Sequence, residues 1–322
     1  MVVKVSDVTK KAVTKKKAKK EVFKVDVTEW VGQDNLVVVD VSAVMRSNFI
    51  SLEQPFGESY GKFRREPMSY EVNGVEMNTS SLYGLLRLFS KYKKIEADYV
   101  FCFDTPNNLL KKVDANYKAN RVKMGDEYFD QVNTAYKLLK EAGYKVLAAD
   151  GLEADHMVHA AVEQNVKLYD NIAVVTNDMD LSCLVQDNVV WLNTLNKNED
   201  ITMENYEQKL KCPYNSILLK KCMVGDKSDN ITGIFRFGQA AFDKFFEAEG
   251  LVAGEVLGNE KEIITNAETL SDDKKGQALH ALELILPLEV KEDARANEDI
   301  NRPMMVAFMD KYGMKSLRKI FE

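Results

Sequence analysis

Two aspartates, Asp178 and Asp180, stand one residue apart in "AVVTNDMDLSCL", where an apolar run ends. Three more segments have the same shape. "NLVVVDVS" ends in Asp40, "ADYVFCFDTP" in Asp104, and "YKVLAADGLEAD" runs into Glu153 and Asp155. A further pair, Asp226 and Asp229, sits three apart in "MVGDKSDNITG". Any one such acid reads as a cap or turn residue, and Asp150 with Glu153 fits an Asp-x-x-Glu capping box. Recurrence at four strand ends favours a site instead. Carboxylates gathered at one edge repel each other and need countercharge. Oxygen-only clusters suit magnesium or manganese rather than zinc. Two such ions about 4 Å apart are the arrangement used for in-line phosphodiester cleavage.

The four runs are short, apolar on both faces and rich in Val and aromatics, as in strands of a parallel sheet covered by helices. Between them lie helical patterns. Leu82, Leu85, Leu86 and Phe89 share one face, and Phe129, Val132, Tyr136 and Leu139 share another before Gly143. Met157, Ala160 and Ala161 mark a third helix. Alternation of this kind predicts an α/β fold with a mostly parallel central sheet flanked by helices. Sites in such sheets lie beyond the carboxyl ends of the strands, which is where the acids fall. Asp178 and Asp180, in extended chain, are expected to point the same way. Glu153 and Asp155 are expected at a helix N-terminus. From about residue 196 the pattern becomes helical, and "EVLGNEKEIITNAETLSDDKKG" reads as polar and exposed.

Basic residues follow Asp104: Lys111, Lys112, Lys118, Arg121 and Lys123, with Tyr117 interleaved. Cations and an aromatic beside a metal site suit a segment that grips phosphates and stacks a base. An exposed basic helix is the plainer alternative. Residues 1–24 hold nine lysines against Asp7 and Glu21, while the whole chain carries a net charge of −6. This end reads as a solvated, disordered extension or as a mobile arm touching phosphates. Cys102, Cys183, Cys212 and Cys222 form no C-x-x-C, so reduced thiols in a cytoplasm are expected. No secretory leader and no membrane span are expected.

These motifs together resemble the flap endonuclease and 5′→3′ exonuclease superfamily, over about residues 34–245. "VVVDVS" and "FCFD" resemble its first two metal-binding segments, and "NYKANR" resembles its helical arch. "GLEADHMVHA" resembles Glu-Ala-Asp-Asp, and "TNDMDLSCLV" resembles Ser-x-Asp-x-Asp-Leu-x-x-Leu. "MVGDKSDNITGI" resembles the opening of a helix–three-turn–helix DNA-binding element, and "YGMKSLRKIF" resembles the segment closing that domain. The resemblance implies a PIN-like nuclease core over 25–200 with an arch at about 105–125. It also implies a helical duplex-binding part over 201–322. By carry-over, Asp40, Asp104, Glu153 and Asp155 hold one Mg2+, with Mn2+ able to substitute. Asp178, Asp180, Asp226 and Asp229 hold or support a second ion. Lys118 and Arg121 contact the scissile phosphate. Gly233, Arg236 and Gly238, with Tyr117, Lys111, Lys112 and Lys123, contact nucleic acid. The implied activity is 5′→3′ exonuclease and flap cleavage with RNase H-like primer removal, by a monomer acting on DNA or RNA/DNA duplex. The terminal "MKSLRKIFE" reads either as a dock for a sliding clamp or single-strand-binding protein or as a closing core helix.

Two departures from the pattern stand out. His156 replaces the second Asp of Glu-Ala-Asp-Asp, which weakens one magnesium site, favours manganese, or supplies an outer donor. With His159 it also forms a zinc-like pair, though no thiolate or third His adjoins it in sequence. Arg236 replaces the central glycine of the hairpin that binds a potassium ion in the family. Arg resists φ > 0, so that K+ site is in question and duplex grip shifts toward the Arg236 side chain. Competing readings are a silent junction-binding protein, a PIN-type single-strand ribonuclease and a zinc hydrolase.

Overall fold

A computed structural model describes residues 22–52, 69–72, 74–121, 123–194, 198–297 and 299–322. Five parallel strands form the central sheet: β1 (Asn35–Asp40), β4 (Asp98–Cys102), β5 (Lys145–Leu147), β6 (Asn171–Thr176) and β7 (Val189–Asn193), in the order β5-β4-β1-β6-β7. A separate antiparallel pair, β2 (Ser69–Val72) and β3 (Val75–Asn78), precedes the second long helix. The sequence reading found four of the five parallel strands and missed β7 and the β2–β3 pair.

Strand β1 is central and buried along its whole length. Its residues alternate between two cores, as a period of two requires. Leu36 and Val38 face α5 (Ala154–Asn165), α7 (Ile217–Val224) and α10 (Asp272–Ile285), where Met157, Leu219 and Ala281 pack. Val37 and Val39 face α2 (Ser80–Tyr92) and α4 (Asp126–Glu141), where Leu85, Phe89 and Leu139 pack. The last helices, α11 (Arg302–Lys311) and α12 (Lys315–Arg318), return to this second face. Met305, Met309, Leu317 and Phe321 are buried there, so "MKSLRKIFE" closes a core.

Helix α4 does not present the face its sequence suggested. Phe129 is 50% exposed, and the buried stripe is Tyr128, Gln131, Ala135, Leu138 and Leu139. Gln131 explains the rotation: its Oε1 accepts the N–H groups of Ser81 (2.9 Å) and Leu82 (3.2 Å), satisfying orphan donors in the first turn of α2. The stretch read as polar and exposed contains α9 (Glu260–Asn266) and the start of α10, anchored by buried Val256, Ile264 and Leu270.

Most of the lysine-rich end lies outside the described residues. Its last part is docked: Lys24 pairs with Asp200 at 2.8 Å, and the Phe23 carbonyl accepts the Asp200 N–H. All four cysteines are buried and unpaired. Among the described residues, no helix is long and apolar enough to cross a membrane.

Candidate active site

Topology brings the acids together. From β1 the chain moves outward to β4 and β5, then returns to β6 on the other side of β1, so the switch point opens between β1 and β6. Asp40 ends β1 and is 5% exposed. It accepts the Ala43 N–H (3.0 Å) and, across the switch point, the Thr176 hydroxyl at the end of β6 (2.7 Å). Asp104, two residues beyond β4, accepts the Ala154 N–H at 2.7 Å and so caps α5 from another strand. Glu153 is the N-cap residue of α5 and Asp155 lies in its first turn. Asp150 makes no capping box, because Glu153 is itself the N-cap and its side chain accepts from Tyr117 and Lys118. Asp40, Asp104, Glu153, Asp155 and Asp178 line one cleft of about 750 Å³. Lys111, Lys118, Arg121, Lys123 and Lys221 line it too, whereas Lys112 is exposed on the short helix α3 (Leu110–Val113) and does not.

Burial and mutual repulsion act unequally on the cleft's carboxylates. Burial pushes the Asp40 carboxyl up to about 7, with Asp104 and Asp178 adding to the rise. Burial also pushes Asp155 well above the usual range despite Lys118, and the charges of Glu153, Asp178 and Asp104 reinforce it. Glu153 goes the other way. Burial would raise it, but Lys118 at 2.7 Å and the Tyr117 hydroxyl at 2.7 Å hold it below its ordinary value.

Asp178 and Asp180 do not point the same way. A 3-10 turn, Asp180–Leu184, begins at the second of them, and the Asp180 N–H donates to Asp178 Oδ1 at 2.9 Å. Asp178 stays in the cleft, while Asp180 turns toward the loop after α7. Carboxylate oxygens of Asp180, Asp226 and Asp229 lie within 4.8 Å of one another there, and ligand atoms of Glu153, Asp155 and His156 form a similar group. Lys221 pairs with both Asp180 and Asp226. Burial opposes ionisation of Asp226, but Lys221 and Ser228 overcome it and lower its pKa. Sequence reasoning missed Lys221. Its only signal was a lysine five residues before Asp226, and its role depends on α7 packing against the 3-10 turn.

The segment after Asp104 links the two acidic groups. Lys118 is 9% exposed and bridges Glu153 to Asp229 Oδ2 (3.5 Å). Its backbone is left-handed (φ 52°) and its N–H donates to the Asp229 carbonyl at 2.8 Å. Arg121 also pairs with Asp229. Asn230 donates to the Asn116 carbonyl and Asn120 to the Lys227 carbonyl, stitching residues 116–121 to the 226–230 turn. Tyr117, expected to stack on a base, is 2% exposed and sits in the core with its hydroxyl on Glu153. It orients a carboxylate instead.

The two histidines of α5 are both buried, in different surroundings. His156 is 3% exposed, and its Nδ1 accepts the Leu288 N–H at 3.2 Å. His159 Nε2 lies 3.7 Å from Cys183 Sγ. Burial pushes both imidazoles down to about 4. His156 Nε2 is buried without a hydrogen-bond partner, and His156 offers a ligand atom to the Glu153–Asp155 group, whereas His159 faces Cys183 instead.

In the hairpin, Gly233 is held by close contact: a Cβ there would lie 2.3 Å from the Gly225 nitrogen and 2.5 Å from the Met223 carbonyl oxygen. Gly238 meets no such neighbour and precedes α8 (Gln239–Ala248) at an exposed position. Arg236 adopts φ 57° despite its Cβ, so the turn keeps a shape that glycine would favour.

Comparison with known proteins follows the same lines. Residues 35–211 match the family described as 5′-3′ exonuclease, N-terminal resolvase-like domain. The 5′-3′ exonuclease of Aquifex aeolicus is 35% identical over 159 residues, which cover 48% of this chain and 55% of that protein. The 5′-3′ exonuclease of Buchnera aphidicola from Schizaphis graminum is 29% identical over 175 residues, 52% of this chain and 59% of that one. The chain thus spans little more than half the length of these relatives. T5 5′-exonuclease, solved with divalent metal ions (zinc) bound, superposes with a TM-score of 0.55 at 17% identity, covering 89% of this chain and all of that one. The catalytic core of Rad2, solved in complex with DNA substrate, gives 0.55 at 16% identity over 92% of this chain and 94% of that one. These likenesses concern the fold.

Proposed function

The chain belongs to the 5′-3′ exonuclease family, matched over residues 35–211, and from that premise we propose that it is a divalent-metal-dependent, structure-specific 5′ nuclease. Its substrate is duplex nucleic acid with a free 5′ end or a 5′ flap, and it hydrolyses a phosphodiester. The observation that carries this reading is the convergence of Asp40, Asp104, Glu153, Asp155 and Asp178 in one cleft with Lys118 and Arg121 at its side. The donor set fits Mg2+: its carboxylates offer oxygen, with His156 the one nitrogen beside them, and burial raises Asp40 and Asp155, a penalty that a bound cation would relieve. Asp40, Asp104, Glu153 and Asp155 would hold one ion, and Asp178 with the Asp180–Asp226–Asp229 group would hold or support a second. When bound, such ions activate water and neutralise the reacting phosphate.

The chain's own residues do the rest. Lys118 and Arg121 place positive charge between the two acidic groups, where a phosphate approaching the cleft meets it. Tyr117 and Lys118 fix the Glu153 carboxylate, and Asp104 fixes the start of α5 and with it Asp155. Exposed Lys111 and Lys123 at the cleft wall grip the strand electrostatically. Gly233 and Gly238 bracket the turn that approaches the duplex arm. The test is cleavage of a 5′-labelled flap duplex with Mg2+, with Mn2+ and with EDTA. Metal-dependent cutting near the junction is expected. Binding without cutting under either metal would refute the nuclease reading.

A further inference from the structure

At the amino ends of β4 and β5, on the side of the sheet away from the carboxylates, lies a second cavity of about 480 Å³. That size falls within the range of small-molecule pockets, about 300–1,000 Å³. Its rings belong to one aromatic cluster: Phe89 meets Tyr99, Tyr144 and Phe321 at centroid distances of 4.7, 5.1 and 5.1 Å, and all four line the cavity. The same lining carries donors that the fold does not use. The buried Tyr92 hydroxyl has no hydrogen-bond partner, and among the described residues no hydrogen bond engages the hydroxyls of buried Tyr99 and Tyr144. Burial raises all three phenols, so they remain protonated donors. Arg302, exposed at the rim, makes no ion pair or hydrogen bond through its guanidinium among the described residues. Lys93 gives one of its three donors to the Lys319 carbonyl (3.0 Å) and keeps two. Two acids complete the polar lining: Asp98 accepts the Tyr169 hydroxyl at 2.8 Å, and Glu96 is exposed. Buried hydroxyls left unpaired cost stability until a partner meets them, and here three of them share one cavity with two cations.

We propose that this cavity binds a nucleoside 5′-monophosphate, the unit an exonuclease releases, a choice of ligand that rests on the nuclease reading above. The base lies against the aromatic wall, since every free base offers a face for stacking. Its ring nitrogens and carbonyls accept from the tyrosine hydroxyls, and its N–H groups donate to the acids of the lining. A simple carboxylate or a purely apolar ligand does not match that mixture of donors and acceptors. The phosphate meets Arg302 and Lys93, the two cations of the lining. The site is separate from the carboxylate cleft, because the two share no lining residue.

The test is isothermal titration calorimetry of the full chain in EDTA with 2′-deoxyadenosine 5′-monophosphate, deoxyadenosine and inorganic phosphate. The nucleotide is expected to bind at a single site, at least about tenfold more tightly than deoxyadenosine or phosphate. Arg302→Ala is expected to lower nucleotide affinity about tenfold and to leave deoxyadenosine binding unchanged. Tyr144→Phe, which removes only the hydroxyl, is expected to weaken both. A saturating flap duplex is expected to leave nucleotide binding intact. No nucleotide binding, phosphate binding as tightly as the nucleotide, displacement by the duplex, or an Arg302→Ala variant that binds as the parent does would each overturn the proposal. Cleavage of the flap duplex in Mg2+, assayed on the same preparation, keeps the two readings apart. Cutting without nucleotide binding removes this site alone, and nucleotide binding without cutting removes the nuclease reading alone.

Discussion

Asp40 shows how the cleft trades stability for charge. Its carboxyl is raised from an ordinary 3.8 to about 7 by burial, so the folded state favours its neutral form. Its contribution to stability is full below pH 4 and is lost as pH rises through 7. His156 and His159 work in the opposite sense. Pushed down to about 4, they are held neutral by the fold, so they contribute stability above their unfolded pKa and lose it as pH falls. The clean observable is therefore a difference. In EDTA, the thermal midpoint of Asp40→Asn relative to the parent is expected to rise between pH 4.5 and 7.5, and a flat difference would contradict the burial argument. Lys118 carries a second prediction. Its removal leaves Glu153 and Asp229 buried without their shared cation, so Lys118→Ala should cost about 3 kcal/mol in urea unfolding. Added Mg2+ should restore part of that loss. An unchanged midpoint with and without the ion would show that Lys118 does not balance the acidic groups.

At the scale of elements, the hairpin after α7 depends on backbone contact. Gly233→Ala would force a Cβ against the Gly225 nitrogen and the Met223 carbonyl, and overpacking of this kind costs about 1–3 kcal/mol. A urea titration showing no loss would mean that the turn can relax. Which elements were legible in the sequence follows from how local their signals are. Strands β1, β4, β5 and β6 announce themselves as apolar runs ending in acids, and five of the eight candidate carboxylates meet in one cleft because the topology aligns those ends. Strand β7, VVWLN, is an apolar run like the others but ends in no acid, so a reading built on acid-terminated runs passed over it. The divergence of Asp178 and Asp180 depends on a 3-10 turn whose residues look extended in one dimension. Tyr117 among lysines reads as exposed; only the packing of residues 116–121 against the 226–230 turn buries it. Arg236 runs against its local preference, and rule-breaking of that kind concentrates at functional positions.

Over the whole molecule, one sheet separates two cores and aims their strand ends at a single edge. Helices α11 and α12 lie far along the chain from the cleft but complete the second core beneath β1. Leu317→Ala should therefore cost about 2–5 kcal/mol and lower cleavage only through the folded fraction. A loss of turnover at full folding would instead implicate this end in substrate handling. The most direct test of the central claim, that the sheet-edge carboxylates carry phosphodiester cleavage, is Asp155→Asn assayed for both cutting and binding of a 5′-flap duplex in Mg2+. The substitution removes metal-directed charge and leaves Lys111, Lys123 and Arg236 in place. The expected result is cleavage reduced at least about a hundredfold with flap affinity retained. Cleavage above about a tenth of the parent rate would contradict the account.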